Sequence, residues 1–134
     1  MFERIDYREL NSRQQENYNF QKVAGQLADY GYNCLRLNDD WQGADFLACH
    51  VNGNTFLKVQ LKGRFTIDSK YIGRDVHIAF LDGDECYVYP HDSTLEAVLA
   101  KNIINASRAW QTTRAYSWPR LSKWASALLE EYRI

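Results

Sequence analysis

Residues 44–62 read Ala-Asp-Phe-Leu-Ala-Cys-His-Val-Asn-Gly-Asn-Thr-Phe-Leu-Lys-Val-Gln-Leu-Lys, two strand-like runs on either side of Asn52-Gly53. Asn-Gly is the strongest short signal for a two-residue hairpin turn, because both residues tolerate positive φ. With Asn52 and Gly53 as the loop, Val51 faces Asn54, and counting outward along the antiparallel ladder sets Asp45 opposite Gln60. Side chains alternate along a strand, so Lys62 projects on the same side as Gln60 and therefore as Asp45. Phe46, Ala48, Leu57, Val59 and Leu61 fall on the other side, the apolar surface that such a hairpin buries.

Working outward, residues 12–30 read as a helix. Ser12 with Gln15 makes a capping-box pattern, Phe20, Val23, Ala24, Leu27 and Ala28 form an apolar stripe, and Gly31 stops it. Gly25 inside the helix predicts a close approach by another element. Strands are expected at 32–37, 44–51, 54–61, 76–81 and 85–89, the last pair around an Asp82-Gly83 turn. The continuous apolar character of 76–81 predicts a strand buried on both faces, at the centre of the sheet. Ser93 with Glu96 makes a second capping box, opening a short helix through Leu95, Val98 and Leu99. A final helix has Pro119 in its first turn and a stripe at Leu121, Trp124, Ala125, Leu128 and Leu129. The class is α/β (α+β): a central mixed sheet of about five strands flanked by helices, order α-β-β-β-β-β-α-α, in a single domain over residues 1–134.

Glu16 sits in line with Phe20 and Val23, on the stripe that faces the sheet. Long acids are seldom buried alone, so either a metal ion or a lysine partners it, or it lies in solvent at the first turn.

Asp45 in Gly-Ala-Asp-Phe, a hairpin, and Gln60-Leu61-Lys62 in Val-Gln-Leu-Lys-Gly-Arg, all behind a helix, resemble the PD-(D/E)xK nuclease superfamily across about residues 13–82. The resemblance implies a restriction-endonuclease-like fold and a metal-dependent endonuclease that hydrolyses DNA phosphodiesters. It also implies Mg²⁺ or Mn²⁺ held by Asp45, Gln60, the Leu61 carbonyl and Glu16, with Asp45, Gln60, Lys62 and Glu16 as the catalytic set. Two departures stand out. Gln60 replaces the usual acid, and the segment between Lys62 and Asp75 is short for the helix that commonly joins the third and fourth strands.

Net charge is only −1, so a nucleic-acid partner has to be met by a local basic surface. Residues 62–74 provide Lys62, Arg64, Lys70 and Arg74 against Asp68 alone. Residues 107–124 interleave Arg108, Arg114, Arg120 and Lys123 with Trp110, Tyr116, Trp118 and Trp124, and hold no acid. Arg64, Lys70, Arg74 and Arg114 are the candidate DNA contacts; the aromatics either stack on bases or belong to the core. Asp39 and Asp40, in a loop near Asp45, could supply a second acid, but paired aspartates are ordinary turn residues and are read as such. His50, His77 and His91 lack ligand spacing and read as hydrogen-bonded structural groups. Cys34, Cys49 and Cys86 fit reduced thiols in a reducing compartment, not a zinc site. The expected setting is cytoplasmic, with DNA as partner, no membrane segment, and a homodimer where both strands of a duplex are cut. A non-catalytic nucleic-acid-binding module and a protein-interaction subunit, in which Asp45 and Lys62 form only an internal ion pair, are the alternatives.

Overall fold

The computed structural model describes residues 1–134. Its elements are α1 (Ser12–Ala28), β1 (Tyr32–Trp41), β2 (Ala44–His50), β3 (Phe56–Leu61), β4 (Thr66–Asp68), β5 (Val76–Asp82), β6 (Glu85–Pro90), α2 (His91–Ala100), α3 (Arg108–Thr113), β7 (Ala115–Ser117) and α4 (Lys123–Leu129). The five strands expected from sequence are the five of the central sheet, in the order β1-β2-β3-β5-β6. Neighbours are antiparallel except β3 and β5, which run parallel, so the α+β architecture with a mixed sheet is the one observed. β5 is buried on both faces, as its composition predicts, yet the central strand is β3.

The central hairpin keeps the predicted register although its loop is longer. His50 N–H donates to the Thr55 carbonyl at 2.8 Å, and the Asn52 side-chain oxygen accepts from the N–H groups of Asn54 and Thr55. Widening the loop equally on both sides leaves the pairing unchanged, with Phe46 opposite Val59 and Ala48 opposite Leu57. One more step along the ladder brings Asp45 to Gln60.

Each face of the sheet carries its own apolar cluster. Under α1, Val23 and Leu27 meet Phe46, Ala48, Val59, Leu61, Ala79, Cys86 and Val88, and Leu57 packs against them. On the other face Ile78, Phe80 and Tyr89 meet Phe65, Trp110, Trp118, Ala125 and Leu129. No helix is long and apolar enough to cross a membrane.

Helix boundaries depart from expectation in instructive ways. Asn11, not Ser12, caps α1, and it forms the capping box with Gln14. Asparagine caps at least as well as serine, so two overlapping patterns competed and the earlier one won. Gly25 has open space where a Cβ would stand, so no close approach explains it; Gly31, at φ +88, is the constrained glycine, with the His50 ring 2.9 Å from such a Cβ. α2 starts at His91, directly off Pro90 and without a side-chain cap, leaving Ser93 inside it. α4 is capped by Ser122, so Pro119 and Leu121 lie before the helix; the rest of the expected stripe falls within it, with Ala125 and Leu129 fully buried.

Where a crossover helix would join β3 to β5, the chain runs through β4 and a single 3-10 turn, Ser69–Tyr71. Two devices hold this short connection. β4 pairs with β7, and the buried His91 accepts from Asp68 N–H on Nε2 at 3.0 Å while its Nδ1 meets an Asp92 carboxylate oxygen at 2.8 Å. The other Asp92 oxygen accepts from Gly73 N–H. His91→Ala therefore empties a filled site and orphans an amide, and a loss of about 2–4 kcal/mol in urea unfolding is expected.

Candidate active site

β1 and β2 turn through Gln42-Gly43, both at positive φ (54° and 85°), the pairing a type I′ hairpin requires. Between the pairs Arg36–Phe46 and Trp41–Ala44 the ladder breaks, so Leu37, Asn38, Asp39 and Asp40 stand opposite Asp45 alone. Bulges of this kind re-aim side chains and interrupt pairing. Here the bulge opens a polar cleft of about 1040 Å³, lined by Glu16, Arg36, Asp39, Asp40 and Asp45 among others. Asp39 and Asp40 are thus part of β1 beside the site and not members of a connecting turn, a correction to the sequence reading.

Asp45 is partly buried, and its Oδ2 accepts from Leu61 N–H at 2.8 Å. Burial pushes its carboxyl above the ordinary range; the Leu61 bond opposes this, the charges of Glu16 and Asp40 add to it, and Lys62 works against it. Gln60 Oε1 is buried and has no hydrogen-bond partner. An orphaned buried oxygen beside a carboxylate calls for an explanation, because such groups are nearly always satisfied. The Lys62 ammonium lies over the Tyr71 ring, 5.3 Å from its centre. Asp45, Gln60, Leu61, Lys62 and Glu16 line a second cleft of about 350 Å³, so all five residues singled out in the sequence come together.

Glu16 is not buried. Its Oε1 accepts from Arg36 Nη2 at 3.0 Å; Arg36 also donates to Asn17 Oδ1 and lies 5.2 Å over the Phe20 ring. Its cationic partner is therefore an arginine from β1, which helical spacing could not reveal. No three His, Cys, Asp or Glu side chains group as metal ligands. An ion here would rest on the Asp45 carboxylate, the Gln60 amide oxygen and water. That hard-oxygen set suits Mg²⁺ or Mn²⁺, which retain several waters when bound.

None of the four basic candidates lines either cleft. Arg64, Lys70 and Arg74 are exposed. Arg74 Nη1 donates to Gln42 Oε1 at 3.0 Å, tying the crossover to the hairpin tip, and Lys70 is 3.9 Å from Asp68. Arg114, in the left-handed conformation that ends α3, lies 4.7 Å over the Trp110 ring, and its carbonyl accepts from Ser69 N–H. The β4–β7 pairing thus joins two stretches that looked independent. Of the two readings of the aromatics, the core one holds: Trp110 and Trp118 are buried, while Tyr116 and Trp124 pack against the same core.

Cys34, Cys49 and Cys86 are free thiols, with burial pushing Cys34 and Cys86 up to about 11.

No family model and no curated protein matches the chain. Among solved structures it is similar to a bacterial homing endonuclease, at 20% identity and a TM-score of 0.47, over 62% of this chain and 67% of that one.

Proposed function

We propose that this chain is a divalent-metal-dependent endonuclease of the PD-(D/E)xK kind that hydrolyses phosphodiester bonds in DNA. The supporting observation is the meeting of Asp45, the unpartnered Gln60 oxygen and Lys62 in one cleft, opposite a bulge that leaves Asp45 accessible. Asp45 and Gln60, with the Leu61 carbonyl, would hold Mg²⁺ or Mn²⁺, which when bound would provide an activated water and polarise the phosphate. The Leu61 N–H fixes the Asp45 carboxylate through one oxygen and leaves the other for a ligand. Lys62 offers a cation to the charge that develops on the phosphate oxygens. Arg64, Lys70, Arg74 and Arg114 take the DNA backbone, a contact sensitive to salt. Glu16, paired with Arg36, lines the same cleft and would complete the ligand set only with that pair broken. Cutting both strands of a duplex calls for two copies, hence a homodimer; the free thiols suit a reducing, cytoplasmic setting.

A non-catalytic DNA-binding module is the second reading, favoured by the neutral Gln60 and by the pairing of Glu16 with Arg36. Incubation with supercoiled plasmid and with single-stranded, branched and linear DNA separates the two. The endonuclease nicks in Mg²⁺ or Mn²⁺ and stops in EDTA; the module binds without cutting in any metal.

Gln60 also supports a gain-of-function prediction. Gln60→Glu restores an anionic oxygen, so Mn²⁺ affinity should rise by about tenfold, equivalent to roughly 1.4 kcal/mol. Metal-free stability should fall at neutral pH, because two carboxylates then face each other. Calorimetric titration and thermal melting read both effects.

A further inference from the structure

We propose that Tyr71 is a positioning residue for Lys62, one that locks the basic crossover to the hairpin carrying Asp45; this rests on the role given to Lys62 above. Tyr71 is 4% exposed although its neighbours Lys70 and Ile72 are exposed. Three separate elements converge on its ring. The Lys62 ammonium, just past β3, lies 5.3 Å from its centre, with the Lys70 ammonium at 5.1 Å. At the tip of the β1–β2 hairpin, Gly43 approaches so closely that an added Cβ would stand 3.3 Å from the ring, and its φ of +85° suits glycine. From α2, the His91 ring meets it edge-on at 5.5 Å.

The chemistry of the ring matches the task. An aromatic face attracts an ammonium through its quadrupole, most strongly where water is excluded. Burial, aided by Asp68 and Asp45, holds the phenol above its ordinary value against the opposing Lys70, so the ring stays neutral. Lysine is a flexible point charge that loses considerable rotamer freedom when held in place. A fixed ring beneath Lys62 bears part of that ordering before substrate arrives. The hydroxyl is not required for this, but the ring is.

The test combines kinetics with a measurement independent of cleavage. In the metal-free wild type, the Lys62 CεH₂ proton resonances, assigned by their loss in Lys62→Arg, should lie upfield of the position they take in unfolded protein, as should those of Lys70 over the same ring. The Lys62 resonances should stay there in Tyr71→Phe and return to the unfolded position in Tyr71→Leu. Tyr71→Phe should keep kcat, whereas Tyr71→Leu should lower it by about ten- to a hundredfold with KM and DNA affinity little changed. An ordinary Lys62 resonance in the wild type overturns the proposal, and so does equal loss of kcat in the Phe and Leu variants. Should Tyr71→Leu fail to fold, the wild-type and Tyr71→Phe spectra still decide. A wild type that cuts no DNA sinks the nuclease reading alone, since the Lys62 resonance reports the contact by itself.

Discussion

Asp45→Asn is expected to abolish metal-dependent DNA cleavage and, in metal-free protein at neutral pH, to raise the melting temperature by a few degrees. The first effect is the loss of an anionic metal ligand; the second comes from the electrostatics of the fold. The folded state pushes the Asp45 carboxyl above its ordinary range, chiefly by burial and further by Glu16 and Asp40, against the Leu61 bond and Lys62. The folded chain then binds this proton more tightly than the unfolded chain does. Stability from this group is therefore highest in acid, declines as pH rises from the ordinary aspartate range through the raised value, and is fully lost above it. Asparagine carries no charge to desolvate and keeps an oxygen to accept from Leu61 N–H. Melting curves of the two proteins should accordingly diverge as pH rises and converge in acid. A variant no more stable than wild type at pH 7 would contradict the electrostatic reading of the site.

Lys62→Ala should lower kcat by roughly 10²–10³, the scale for losing one group that stabilises charge in the transition state. DNA affinity should change little, because Arg64, Lys70, Arg74 and Arg114 remain. The pH profile should move as well. Lys62 holds the Asp45 carboxyl down, so its removal lets that group rise further, and the acid limb of residual activity shifts to higher pH. Single-turnover kinetics across pH, beside salt-dependent binding, checks both points. An equal loss of binding and turnover would make Lys62 only a backbone contact.

Much of this site was legible before any coordinates, for identifiable reasons. Asn52-Gly53 and Asp82-Gly83 mark reversals, and the strand-like runs beside them place four of the five strands. The register of Asp45 against Gln60 does not depend on the length of the loop, because the loop widens symmetrically. Other features carry no local signal. The Leu-Asn-Asp-Asp run of the β1 bulge has the composition of a loop, so Asp39 and Asp40 read as turn residues near Asp45 and not as part of a strand. β4 and β7 are three residues each, too short for periodicity, and their pairing decides where Arg114 and the tryptophans lie. Interleaved arginine and tryptophan look alike on a nucleic-acid surface and over a core. Only tertiary packing separates them, as it does for Arg36 on Glu16 and Tyr71 beneath Lys62.

The central claim is that Asp45 and Gln60 together hold a divalent cation. Calorimetric titration of metal-free protein with Mn²⁺ tests it most directly: binding at one site per chain is expected, lost in Asp45→Asn and tightened in Gln60→Glu. No binding by the wild type, or equal binding by Asp45→Asn, would contradict it.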